Sequence, residues 1–270
     1  MAASSASGSD DEKKGGELVF CGSASFSMTG RKGKTLAWDG VEERNLLAFH
    51  RLKPLVGVKI AFVAAGCMSS HCLAIAVDGT AYAWGRNEDG QLGTGDTRNR
   101  YNPSPVVVGG SEGPFANGAL GAGHSILVTT SGDAFGAGIN DKGQLGIGRT
   151  SPTPVTKWTA VVPKSIASAA CGIEHTAFLT KAGTVLCAGC PQYGQCGNGS
   201  EDKYLEKAGR ESFHNISSPQ LVSGGDFKAL AARDGGKVVQ VRRDGAPFVR
   251  GEERSDGCAR LLLSSSLAPL

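Results

Sequence analysis

The chain has 270 residues, 40% of them hydrophobic and 20% charged, with 28 lysines and arginines against 25 acidic residues. That balance excludes wholesale disorder and carries no electrostatic signature of nucleic-acid or acidic-lipid binding. The 40 glycines are about twice the ordinary share of ~7%, yet with 11 prolines and no three-residue period the chain is not collagen-like.

In chain order, Met1 to Gly16 is rich in Ser, Ala and Gly, then charged, and reads as a disordered N-terminus without a signal peptide. The segment Gly30-Arg31-Lys32-Gly33-Lys34-Thr35 ends like a phosphate-binding loop, where lysine and threonine would meet phosphate and Mg²⁺. The first glycine such a loop requires is Met28, and Asp39-Gly40 interrupt the helix that should follow, so this reads as a surface loop. Arg31, Lys32 and Lys34 then form a small basic patch that a partner can use. Residues 41–53, Val41 to Lys53, form the best helix candidate of the chain. No apolar run approaches the ~18 residues of a transmembrane helix, and eight dilute cysteines are expected as free thiols in a reducing, intracellular setting.

From residue 57 the chain repeats itself. Gly90-Gln91-Leu92-Gly93, Gly143-Gln144-Leu145-Gly146 and Gly194-Gln195-Cys196-Gly197 recur at spacings of 53 and 51 residues. His71, His124 and His175 each stand 19 residues before a block, with no gap in any copy. Between them run Gly79/Gly132/Gly183 and Gly85/Gly138/Gly189, while Gly90/Gly143/Gly194 open the blocks. Each copy reads as two short strands around a glycine turn (Asp78-Gly79, Ser131-Gly132, Ala182-Gly183), because tight hairpins need the positive φ that glycine supplies. At Gly85, Gly138 and Gly189 a side chain is expected to obstruct a neighbouring backbone. Copies close in extended, proline-bearing sequence, Asn102-Pro103-Ser104-Pro105-Val106 and Pro152-Thr153-Pro154-Val155. A unit of about 50 residues with four short strands is a propeller blade rather than a helical solenoid.

At these columns the sequence resembles the regulator-of-chromosome-condensation repeat family. The residues that carry the likeness are Val63-Ala64-Ala65-Gly66, His71, Asp78 to Gly93 and Ala170-Cys171-Gly172-Ile173-Glu174-His175-Thr176. Leu18 to Gly22, Gly30-Arg31-Lys32 and Gly189-Cys190-Pro191-Gln192-Tyr193-Gly194-Gln195 are most similar to its mitotic, telophase-disc branch. The resemblance implies an all-β, seven-bladed propeller whose N-terminal strands help close the ring. It also implies guanine-nucleotide exchange on, or binding of, a small GTPase of Rac, Ral, Arf or Ran type. Microtubule, chromatin or mitotic-chromosome association is implied as well, in cytoplasm or nucleus. At a period of about 51 residues a seven-blade ring needs more than 270 residues. The expectation is therefore an open or incomplete ring of three clear blades. A partial N-terminal blade and linker occupies 17–56, and the repeats occupy about 57–107, 116–156 and 165–199.

Residues 200–270 read as a degenerate fourth blade or a disordered tail. Asp244-Gly245 and Gly251 echo Asp78-Gly79 and Gly85, but Lys237 stands in the histidine column and Pro247 falls where a strand residue should donate a hydrogen bond. Cys187 and Cys190 make a C-x-x-C, yet Cys196 sits in the column of Leu92 and Leu145 and reads as a buried apolar residue. The three histidines, one per blade, are expected to bond backbone groups at turns instead of converging on a metal. Arg86, Glu88, Asp89, Asp96 and Arg98 flank a glycine turn and are the partner-binding candidates. No cofactor, metal site or catalytic residue is expected. The function indicated is a small-GTPase-binding propeller that promotes exchange without covalent chemistry. A non-catalytic microtubule or chromatin scaffold is the alternative, and a phosphate-binding-loop NTPase the remote one.

Overall fold

A computed structural model describes residues 15–22, 46–66, 68–110, 113–162, 165–199, 203–206, 211–222, 227–233, 237–242 and 247–250. Among these residues there is no α-helix. Strand β1 (Val19–Gly22) pairs antiparallel with β2 (Leu46–Arg51), and a 3-10 turn at Lys53–Leu55 follows. This corrects the helix expected over residues 41–53. Pairing with β1 supplies hydrogen bonds that a six-residue run ending near Pro54 cannot match as a helix, and tertiary context overrides the local period. Residues 41–45 lie outside the described residues, as do Arg31, Lys32 and Lys34.

Three four-stranded antiparallel sheets follow. The first contains β3 (Ile60–Ala64), β4 (His71–Ala76), β5 (Ala81–Gly85) and β6 (Arg100–Pro105), in that order. The second contains β7 (Phe115–Leu120), β8 (His124–Thr129), β9 (Ala134–Asn140) and β10 (Ser151–Ala160). The third takes β11 (Ile166–Cys171), β12 (His175–Thr180) and β13 (Val185–Gly189), but its outer strand is β16 (Ile216–Leu221). A hairpin, β14 (Lys203–Leu205) with β15 (Glu211–Phe213), is inserted ahead of that strand, so the third blade extends past residue 199. The register repeats in all three: His71 faces Gly85, His124 faces Gly138 and His175 faces Gly189. At Gly85 φ is +112°, and an added Cβ would lie 2.6 Å from the Cα of His71, so the expected obstruction is present.

A further sheet, β17 (Phe227–Arg233), β18 (Lys237–Arg242) and β19 (Pro247–Arg250), follows the third blade. Val238 pairs with Arg250 as Cys72 pairs with Trp84, so this sheet has the register of a repeat's second and third strands. Pro247 is the first residue of β19, a place where the missing N–H is tolerated. The inner strand of each sheet lies against the two inner strands of the sheet before: β7 against β3 and β4, β11 against β7 and β8, β17 against β11 and β12. The result is an array of propeller blades, and no closed ring forms among the described residues.

The core lies between blades. On β8, Leu127 joins Leu73, Ile75, Leu92, Val106 and Phe115 on the side of the first blade. Its neighbour Ile126 joins Leu145, Val161, Ile166 and Phe178 on the side of the third. Successive side chains point to opposite faces of a strand and both faces are covered, hence the continuous apolar runs in place of alternation. The first blade's other side is covered by Leu52 and Leu55 against Ile60, Ala74 and Trp84.

The outer strands β10 and β16 also lock the preceding blade. Thr94 pairs with Lys157, Gly95 N–H donates to Thr156 O at 2.7 Å, and the Trp158 indole lies directly on Gly93. One blade on, Gly148 N–H donates to Ser217 O at 3.0 Å and Pro219 lies on Gly146. Val106, Val161 and Val222 close the three outer strands by donating to Ala81 O, Ala134 O and Val185 O. Val161, and not Val155 of the Pro152–Val155 segment, is therefore the counterpart of Val106.

The histidines do a related task. Each is buried, and Nε2 of His71 is 2.7 Å from Ser125 Oγ on the next blade. That hydroxyl donates to Gln91 O at 2.8 Å, so His71 must be the Nε2–H donor. His124 Nε2 shares a 3.0 Å hydrogen bond with Thr176 Oγ1 in the same relation. The expected partner, a turn's backbone, is thus corrected to a hydroxyl on the neighbouring blade. His175 Nε2 has no partner among the described residues, and the corresponding position of the next sheet is Val238, which carries no hydroxyl.

Two predictions follow from these contacts. Burial holds His71 and His124 at about 3 and His175 at about 4, with Arg86 adding to the shift at His71. Unfolded histidines titrate near 6.5, so stability is full above that pH and falls below it as the unfolded chain takes up protons. Each histidine contributes about 1.4 kcal/mol per pH unit between 6.5 and its folded value, to be read from urea unfolding at a series of pH values. Trp158→Ala, which uncovers Gly93 and the first core, should cost about 3 kcal/mol in the same assay at pH 7.

Candidate functional site

The blades have two unlike ends. At one lie the tight hairpin turns, such as Asp78-Gly79, and the blade-to-blade crossings. At the other, next to the histidines, lie the short loops that lead into His71, His124 and His175, with residues 68–70, 121–123 and 172–174, and the long connections that leave Gly85, Asn140 and Gly189. Long loops on a rigid frame are where recognition residues concentrate.

The long loops are braced from within. Buried Asn87 accepts from Leu92 N–H at 2.9 Å and donates to Asp96 O and Arg98 O at 2.9 and 3.1 Å. Asn140 repeats this with Leu145 N–H at 3.0 Å and Arg149 O at 2.7 Å. The block glutamines accept from the backbone two residues earlier: Gln91 from Asp89, Gln144 from Lys142, Gln195 from Tyr193. In the third copy Pro191 replaces the asparagine and cannot grip the returning chain, and that is the loop which runs out into the β14–β15 hairpin.

The sequence-nominated residues divide on this frame. Arg86 pairs with Glu88 at 2.9 Å, so these two charges largely answer each other. Asp96 accepts from Arg100 at 2.7 Å, from Arg98 N–H at 3.0 Å and from Thr94 at 3.1 Å. Its carboxyl is held at about 2, chiefly by the Arg100 hydrogen bond, and its role is to shape the loop. Arg98 is exposed, and its guanidinium has no partner among the described residues. Asp89 reaches the next blade beside Gly123, and burial raises its pKa against the pull of Arg86.

The same columns in later blades hold residues that the sequence reading passed over. Asp141 and Lys142 stand where Glu88 and Asp89 stand, 3.4 Å apart, and Tyr193 occupies the third position. The neighbouring short loop presents Ile173 and Glu174, with Ile173 and Tyr193 each 39% exposed. Lys142 and Glu174 both act electrostatically on buried Cys190, whose N–H donates to Glu174 O at 2.9 Å. The signal was available: carrying the first-blade cluster down its own repeat columns names these positions. Together they make a mixed-charge, partly apolar face that crosses three blades, suited to recognising another macromolecule.

The cysteines lie beneath this face. Cys187 and Cys196 are buried, the latter in the core place of Leu92 and Leu145, as its column indicated. The Cys187 thiol is pushed well above its ordinary range by its hydrogen bond with Cys196 and by burial, so it stays protonated. Among the described residues no group of three or more potential ligands is placed to hold a metal.

Comparison with known proteins agrees with this architecture. Models of the regulator of chromosome condensation repeat match residues 78–128 and 131–179 and, in a second form, 60–91 and 166–195. Protein RCC2 of Homo sapiens is 33% identical over 212 residues, which cover 77% of this chain and 40% of that protein. The ultraviolet-B receptor UVR8 of Arabidopsis thaliana is 34% identical over 189 residues, 69% of this chain and 42% of the receptor. The chain thus spans about 40% of the length of these relatives. Among solved structures, human WBSCR16 superposes with a TM-score of 0.67 at 23% identity, covering 87% of this chain and 61% of that one. Prp20p of Saccharomyces cerevisiae, described with its binding to Gsp1p and histones, gives 0.64 at 21% identity, covering 81% and 52%. At those identities the two structures speak to the fold alone. Matched repeats, shared blade architecture and homology to RCC2 lead to one statement: the chain belongs to the regulator-of-chromosome-condensation repeat family.

Proposed function

We propose that the loop face binds a small GTPase of Ran, Rac, Ral or Arf type and promotes exchange of its guanine nucleotide, inside the cell and in connection with mitosis. The observation that carries this reading is the surface formed by Arg98, Asp89, Lys142, Glu174, Ile173 and Tyr193 on loops fixed by buried Asn87, Asn140 and the block glutamines. Exchange needs no covalent step. A rigid surface that binds the nucleotide-free GTPase more tightly than the loaded form lowers the barrier to nucleotide release by that difference in affinity. Internal bracing serves this directly, since a loop that yields on contact cannot hold its partner in the emptied state. Homology to RCC2 and the binding of Gsp1p by Prp20p support a GTPase as the partner class.

A scaffold on microtubules or chromatin is the second reading. It draws on the basic residues Arg31, Lys32 and Lys34 and on the histone binding of Prp20p.

Release of fluorescent GDP from a panel of the four GTPase types separates the two. The first reading expects one GTPase to respond, and Arg98→Glu with Lys142→Glu to cut the response about tenfold or more at an unchanged melting temperature. If none responds while the protein co-sediments with microtubules or nucleosomes, the scaffold reading replaces it. Lys34→Ala should leave exchange unaffected; a nucleotide-binding activity of the chain itself that this change abolished would restore the phosphate-binding-loop reading.

A further inference from the structure

The third copy departs from the other two at three columns of one loop. Pro191 stands where Asn87 and Asn140 accept from Leu92 N–H and Leu145 N–H. Beneath it both core positions are cysteine: Cys187 in the column of Ala83 and Gly136, Cys196 in that of Leu92 and Leu145. The repeat itself gives the spacing of this pair, because a Cβ on Gly136 would lie 3.1 Å from the Cβ of Leu145. A disulfide needs Cβ atoms about 3.5–4.5 Å apart, which two real side chains in these columns reach by a small outward adjustment. In the third blade the two cysteines are buried in one core cluster, and their thiols are hydrogen-bonded to each other. Their other contacts are weak ones to the same loop: Cys187 Sγ lies 3.8 Å from Gln195 O, and Cys196 Sγ lies 3.4 Å from Cys190 O.

We propose that Cys187 and Cys196 are an oxidative modification site, where hydrogen peroxide closes an intrachain disulfide that staples the third-blade connection to β13. One thiolate attacks the peroxide O–O bond and becomes a sulfenic acid as hydroxide leaves; the second sulfur then displaces hydroxide from the first. Two thiols and one hydrogen peroxide give one disulfide and two waters, the sulfurs being oxidised and both peroxide oxygens reduced. The loop that carries the pair is the one without the asparagine grip, so it is the one that opens to admit the oxidant. Once closed, the bond supplies the hold that Asn87 and Asn140 supply in the other copies, and it fixes the intervening stretch that carries Tyr193. Cys190 occupies the column of Arg86 and Ile139, outside the core cluster, and is the spectator thiol. The site lies beneath the loop face, and its oxidation does not depend on what that face binds.

The full chain is treated with hydrogen peroxide, its remaining thiols are alkylated, and it is cut after Tyr193 with chymotrypsin, without reductant, for mass spectrometry. The expected product is a crosslink between Cys187 and Cys196, lighter than the reduced pair of peptides by two hydrogens. Cys190→Ser should form it equally, and Cys187→Ala, which installs the residue of the first copy, should lose it. Cys187→Ala combined with Cys196→Leu reproduces the first blade's core pair, and this variant should melt with the reduced wild type. Oxidised wild type should melt about 5 °C or more above the reduced protein, with dithiothreitol reversing the rise and the double variant showing none. Absence of the Cys187–Cys196 bond, or a bond from Cys190 to Cys196 in its place, overturns the proposal. An unchanged melting temperature once the Cys187–Cys196 bond has formed overturns the staple.

Discussion

No blade of this protein can cover itself. Each short strand sends alternate side chains to opposite faces, as Ile126 and Leu127 do, and a four-stranded sheet leaves both faces apolar until a neighbour arrives. Every other feature answers that constraint. The inner strand of one sheet lies on the two inner strands of the last, the outer strand clamps the last sheet's glycine block, and a buried histidine reaches across to a hydroxyl on the next blade. Stability is then a property of neighbouring pairs, as in other repeat proteins, and the interfaces of the second blade with the first and with the third use the same three contacts.

The histidine chain shows how closely these contacts depend on one another. Ser125 accepts from His71 and donates to Gln91 O, the backbone of the block that Trp158 and Thr156 cover from outside. One hydroxyl thereby ties a strand end, a neighbouring blade and a loop. At the last histidine the series changes: Val238 stands in the hydroxyl column, His175 Nε2 has no partner among the described residues, and the neighbouring sheet has three strands among them. The inner-strand contact persists across that boundary, where β17 lies against β11 and β12.

The loop face inherits its rigidity from the same arrangement. Asn87 and Asn140 hold the returning chain, and where Pro191 takes that place the connection lengthens and carries an added hairpin. Blade-to-blade differences in charge, Asp89 then Lys142 then Tyr193, are carried on equivalent and equally fixed positions. Variation without loss of shape is what a recognition surface requires, and the repeat supplies it because the bracing groups are buried and the variable ones are not.

Much of this was legible in the amino-acid order because its requirements are local. A hairpin turn at Asp78-Gly79 needs positive φ at one residue, and the absence of a side chain at Gly85 is forced by the strand it faces in the same hairpin, so glycine appears at fixed distances from histidine in every copy. Cys196 could be read as a core residue because its column supplies leucine elsewhere. What depended on contacts distant in sequence was not legible. The strand at Leu46–Arg51 has a helical period and needs β1 to decide against it. The Pro152–Val155 segment imitates Asn102–Val106, yet Val161 is the true counterpart, since only seating on the first blade sets the register of β10. Residues 216–221 complete the third blade from beyond a hairpin that no spacing rule anticipates. Arg86 and Asp96, named as partner-binding candidates, are paired with Glu88 and Arg100. The sequence alone determined where the backbone must turn and hence that blades form, because glycine's freedom acts within a few residues. Which strand covers which loop and which charges remain available were decided by tertiary structure, because those depend on what each blade meets in its neighbour.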